Sequence, residues 1–130
     1  MRVAFYAPKM GRKDNAMKRP RAYITAAWGD NEYENAEKCA QYCRALFEAG
    51  YHPECPMQFF SDIIRDEIPD EHDSKLEMSR TILRECDVLV VCGNIVDDIV
   101  KSDIAYAERR PLTATTLDGI LTVKGLGRKL

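Results

Sequence analysis

The segment Asp87-Val88-Leu89-Val90-Val91-Cys92-Gly93 constrains this chain more than any other. Its apolar core of five residues is the longest in the sequence and is closed by a glycine. That length fits a buried strand; a membrane-spanning helix needs about 20 such residues. The residues on either side carry helical spacing. Leu76, Ser79, Ile82, Leu83 and Cys86 form a stripe before the strand, with Asp70, Glu71 and Asp73 at its start, where the helix dipole favours negative charge. Ile95, Ile99, Ile104 and Ala107 form a second stripe after it, expected to face inward over a helix from Ile95 to Arg109 and stopped by Pro111.

The same alternation extends outward. Arg21–Ala26 reads as a strand, followed by a helix that starts near Asn31 and Glu34 in capping-box spacing and stops at Gly50. Tyr51–Cys55 is a short strand, 57–65 a short helix, and Leu112–Thr116 a last strand, after which Gly125-Leu126-Gly127 reads as a flexible tail. Arg2–Ala7 supplies an additional N-terminal strand candidate ahead of a basic connector. Strands alternating with amphipathic helices imply βαβ units and a mostly parallel sheet. Ligands of such sheets bind beyond the carboxyl ends of the strands. Three loops are therefore of interest, Ala27–Asn31, Pro56–Phe60 and Gly93–Asp98.

At 130 residues, with 45% hydrophobic and 31% charged residues, the chain is the size and composition of one globular domain. Seven Lys/Arg against one acid fall in residues 1–21, and three more basic residues close the chain. The body between them holds 9 basic and 20 acidic residues. This acidic body with basic ends argues against a duplex nucleic-acid binder. Nothing resembles a signal peptide, because Lys9, Arg12 and Lys13 interrupt the N-terminal apolar stretch. Five cysteines without a Cys-x-x-Cys pair are read as buried free thiols of a reducing, cytoplasmic compartment. His52 and His72 lack a Cys or His partner at ligand spacing and are read as structural or exposed. No metal site is expected.

In the first loop, Ala27, Trp28 and Gly29 either let a nucleobase or sugar approach the backbone and stack, or form a turn anchored by the indole. In the third, Gly93 and Asn94 precede Asp97 and Asp98, and Asp103 lies one to two turns on. These carboxylates either polarise or attack a bound sugar, or are solvated charges at a helix start.

Taken in order, Tyr23-Ile24-Thr25-Ala26-Ala27-Trp28, Glu34-Asn35, Phe47–Gly50, Leu83–Asp87 leading into Val88–Gly93, and Asp103-Ile104-Ala105-Tyr106-Ala107-Glu108 resemble the nucleoside 2-deoxyribosyltransferase-like superfamily from about Tyr23 to Leu117. The resemblance implies an α/β, three-layer Rossmann-like (flavodoxin-like) fold with a parallel five-stranded sheet, here with an extra N-terminal strand, assembled as a homo-oligomer. It implies cleavage of the N-glycosidic bond of a nucleoside or nucleotide, by hydrolysis or transfer, without a cofactor. On the matching positions Asp103 stands for the nucleophilic glutamate and Tyr23 for the tyrosine that positions it. Trp28, Gly29, Gly93, Asn94, Asp97 and Asp98 are placed around the substrate. Asp97-Asp98-Ile99-Val100 departs from the family's Ser-x-Gly-Met, removing a glycine and adding carboxylates that disfavour a phosphate. The alternative is a non-catalytic nucleoside- or nucleotide-binding module or an oligomeric interaction protein; in every reading residues 1–20 are a basic extension and 21–130 the domain.

Overall fold

The computed structural model describes residues 18–125. The expected strand Arg2–Ala7, most of the basic extension and the tail from Leu126 onward lie outside them. In chain order the elements are β1 (Arg21–Thr25), α1 (Glu32–Glu48), β2 (His52–Glu54), α2 (Pro56–Ser61), α3 (Pro69–Glu85), β3 (Val88–Val91), α4 (Asp98–Arg109), β4 (Thr113–Thr116) and α5 (Leu117–Val123). All strand pairs are parallel, in the order β2-β1-β3-β4. The fold is α/β, as the alternation of strand and helix predicts. Among the described residues the sheet has four strands, where the resemblance implies five. After β4 the chain turns at once into α5, an element not anticipated from the sequence.

Strand alternation assigns each face of the sheet its own core. Ala22, Ile24, Val88, Val90 and Cys92 point to one side, where they pack with Leu46 of α1 and Ile120 of α5. Tyr23 and Leu89 point to the other, against Leu83 of α3 and Ala107 of α4. The two middle strands are covered on both faces, and all four residues of β3 are buried. Burying a Leu or Val completely contributes about 1.5–3 kcal/mol each, so β3 is a principal source of stability.

Local chemistry sets the element ends. Asn31 caps α1 through its side-chain oxygen, which accepts from Glu34 N at 3.1 Å. At the other end Gly50 adopts φ 98°. Gly50 N then donates to Phe47 O, and Tyr51 N to Leu46 O, a Schellman closure that needs a residue without Cβ. Pro69 sits in the first turn of α3, where its missing N–H costs nothing.

Helix α4 starts later than its apolar spacing predicts. Asp97 is the cap, its Oδ1 accepting from Val100 N at 2.9 Å. Ile95 therefore precedes the helix and is exposed, as is much of Ile99, contrary to the expected inward stripe. Ala107 of the expected stripe is buried and Ile104 partly so, and Val100 and Asp103 complete the inward face. Among the described residues, no helix is long and apolar enough to cross a membrane.

Candidate functional site

Asp103 is the polar exception on the buried face of α4. Only 7% exposed, it is surrounded by the sheet and by α3. Its Oδ2 accepts a hydrogen bond from Thr25 Oγ1 at 2.7 Å. Thr25 is the last residue of β1, so the carboxylate is tied to the carboxyl end of a central strand. Its Oδ1 lies 3.5 Å from Arg80 Nη2, an ion pair longer than a good hydrogen bond. Burial pushes the Asp103 carboxyl above its ordinary range; Thr25 and then Arg80 pull it back in part, and Asp97 adds a smaller push upward.

Arg80 is itself held in place. Its Nη2 donates to Ser102 Oγ at 2.6 Å, and its guanidinium carbon stacks 4.7 Å from the centre of the Tyr106 ring. Tyr23 is 1% exposed on the same side of the sheet. Burial first, and the Asp103 charge second, push its phenol well above the usual tyrosine range. Ser79 and Arg80 oppose this only in part. Tyr23 is therefore held as the neutral phenol.

These side chains line one cleft of about 430 Å³ between α3 and α4. Met57, Leu76 and Ile99 supply its apolar walls, while His72, Glu77 and Asp98 add polar groups. Both helices present their N-terminal halves here, because each runs antiparallel to the strands it connects. The cleft thus opens at the carboxyl edge of the sheet, where β1 and β3 send their following helices to opposite faces. Its size falls in the range of small-molecule sites, about 300–1,000 Å³.

The anticipated site residues do not all converge there. Tyr23, Asp98 and Asp103 share the cleft. Trp28, Gly93 and Asn94 instead line a crevice of about 70 Å³ with Lys38 and Tyr42. Trp28 packs against the core on the α1 side, its ring centre 6.1 Å from that of Tyr42, and its buried Nε1 has no hydrogen-bond partner among the described residues. Gly93 has φ 80°, and a Cβ there would come within 3.2 Å of the Tyr42 hydroxyl. Gly29 is held by Asn35, exchanging two hydrogen bonds with its side-chain amide, and Asp97 is occupied as the cap of α4. These two line neither cavity.

The polar residues His72, Glu77, Ser79, Arg80 and Ser102 of the cleft were not anticipated as site residues, nor was Thr25, which touches the site through its hydrogen bond to Asp103. Thr25 sits inside the strand segment, and its hydroxyl among apolar neighbours was the available signal. Two larger cavities, about 530 Å³ beside β4 and about 740 Å³ between α1 and α2, contain no comparable pairing of a buried carboxylate with a cation. Among the described residues, no three His, Cys, Asp or Glu side chains are spaced to hold a metal ion.

A family model described as a domain of unknown function, DUF7768, matches residues 20–116. The chain belongs to the DUF7768 family. The matched region runs from the residue before β1 to the end of β4, so the whole cleft lies within the DUF7768 domain and α5 lies beyond it. No curated protein matches the chain.

Proposed function

We propose that this DUF7768 protein binds a nucleoside in the cleft between α3 and α4 and cleaves its N-glycosidic bond, by hydrolysis or by transfer of the deoxyribosyl group. One observation carries the reading: Tyr23 and Asp103, 80 positions apart in sequence, line a single cleft at the carboxyl edge of the sheet. Thr25 holds Oδ2, and Oδ1, which Arg80 approaches only to 3.5 Å, is the oxygen that attacks C1′. The C1′–N bond breaks, its electron pair leaves with the base, and a deoxyribosyl ester of Asp103 remains. Water, or a second base, then displaces the carboxylate. Tyr23 and Arg80 position it and offset its charge.

The strand order supports extending the fold assignment to a Rossmann-like sheet of flavodoxin-like order. Five free cysteines support a reducing, cytoplasmic setting. Glu77 and Asp98 at the cleft favour an uncharged deoxynucleoside over its 5′-monophosphate.

A second reading, a nucleoside-binding module without turnover, is favoured by the engagement of both Asp103 oxygens, one by Thr25 and one by Arg80. Incubation with the four deoxynucleosides and their monophosphates, with free base monitored, separates the two. Release that disappears in Asp103→Ala is expected. Ligand-dependent thermal stabilisation without release would establish the binding module instead.

A further inference from the structure

We propose that His72 is the group that protonates the departing base, with Asp66 as its positioning residue; this rests on the N-glycosidic reading of the cleft. His72 lies in the first turns of α3 and lines the same cleft as Asp103 and Tyr23. Its Nδ1 is 3.1 Å from Asp66 Oδ1. The same oxygen receives Lys75 Nζ at 2.7 Å, and the Lys75 side chain is only 8% exposed. The loop bearing Asp66 is fastened to α3 by a second contact, Arg65 N donating to Glu71 Oε1 at 2.9 Å. An ordinary surface pair has no buried lysine and no backbone anchor behind it.

The hydrogen bond from Lys75, and next that from His72, hold the Asp66 carboxyl below its ordinary range. Asp66 is therefore an anion facing Nδ1 that keeps a proton there in either charge state, so Nε2 is the nitrogen that gains and gives up the second proton.

The chemistry has a gap that this ring fills. When the C1′–N bond breaks, the electron pair falls on a base nitrogen that needs a proton. Tyr23 is too weak an acid, Arg80 is permanently charged, and Asp103 is occupied by the sugar. Glu77 and Asp98 also line the cleft, but among the described residues neither side chain is held by a partner as Asp66 holds His72. Imidazole is the side chain that gives up and recovers a proton near neutral pH. In the first half-reaction Asp103 bonds to C1′ and the proton on His72 Nε2 passes to the base. In the second, water attacks C1′, the ester electron pair returns to the carboxylate, and the water proton goes to Nε2. The sum is nucleoside plus water giving free base plus deoxyribose.

The test compares two leaving groups in the full chain: deoxyadenosine, whose base needs a proton, and 4-nitrophenyl 2-deoxyriboside, whose phenolate does not. His72→Gln is expected to lower kcat/KM for deoxyadenosine by about 100-fold or more while changing the nitrophenyl substrate by only about threefold. Asp66→Asn, which keeps the imidazole but loosens it, is expected to show the same selectivity with a smaller loss. Asp103→Asn is expected to abolish both reactions. Equal losses on the two substrates in His72→Gln, or no loss on either, would overturn the assignment of His72 while leaving Asp103 standing. Wild-type protein that turns over neither substrate would overturn the underlying reading and His72 with it.

Discussion

At the residue scale, the buried Asp103 carboxyl sets function against stability. Burial raises its pKa in the folded chain, so the folded state holds the proton more tightly than the unfolded state does. Stability from this group is therefore fully present below the ordinary carboxylate pKa. It is lost as pH rises through the raised folded value. Asp103→Asn removes the charge and keeps an oxygen for Thr25. Its melting temperature is expected to exceed that of the wild type at pH 7, with the gap closing as pH falls toward 4. A gap that stays constant with pH would show that the carboxyl is not the source. Thr25→Val preserves the shape of β1 but strips a buried carboxylate oxygen of its donor. It is expected to destabilise by about 1–3 kcal/mol, measured by urea denaturation. The sequence displays Tyr23 and Asp103 because their spacing to neighbouring residues resembles a known pattern. It does not display Arg80, since a lone arginine on an amphipathic helix looks like any solvated charge until the fold sets it against Asp103 and Tyr106.

At the element scale, the cleft depends on where α4 begins. The Asp97 cap sets that start, and Asp103, six residues on, falls on the buried face with Val100 and Ala107. Asp97→Ala is expected to cost about 1 kcal/mol of stability, with a further loss at the cleft as the first turn frays. Equilibrium unfolding together with ligand titration separates these two effects. Gly50→Ala places a Cβ at φ 98° and is expected to cost about 1 kcal/mol in the same unfolding measurement. Caps and stops of this kind are legible as sequence: Asn31, Gly50 and Pro111 all mark real boundaries. Helix α4 shows the limit. Ile95 and Ile99 continue an apolar rhythm that ends, physically, where the Asp97 side chain closes on Val100 N. Helix α5 was missed for a related reason. It is only seven residues long, and its start depends on Thr116 Oγ1 accepting from Gly119 N at 2.9 Å, a cap that no periodicity advertises.

At the scale of the whole molecule, the parallel sheet separates two faces with different duties. The α1 and α5 face is closed by Tyr51, Leu46 and Ile120, and at its rim Trp28 and Tyr42 leave only a small crevice. The α3 and α4 face carries the cleft and its polar groups. Alternation of strand and helix makes the parallel sheet readable in advance, and with it the carboxyl edge as the place to look. What it does not reveal is the face on which each loop residue ends. Trp28 and Asp103 both follow strands at the carboxyl edge, yet the loop after β1 carries Trp28 to the α1 side while α4 carries Asp103 to the opposite side, with Tyr23. The central claim is that Asp103 attacks a sugar within the cleft, and trapping the covalent intermediate tests it most directly. The protein is quenched in acid during turnover of deoxynucleoside, digested, and its peptides are weighed. The account predicts a deoxyribosyl adduct on the peptide carrying Asp103, absent from Asp103→Asn. Base release with no adduct on that peptide, and undiminished in Asp103→Asn, would contradict it.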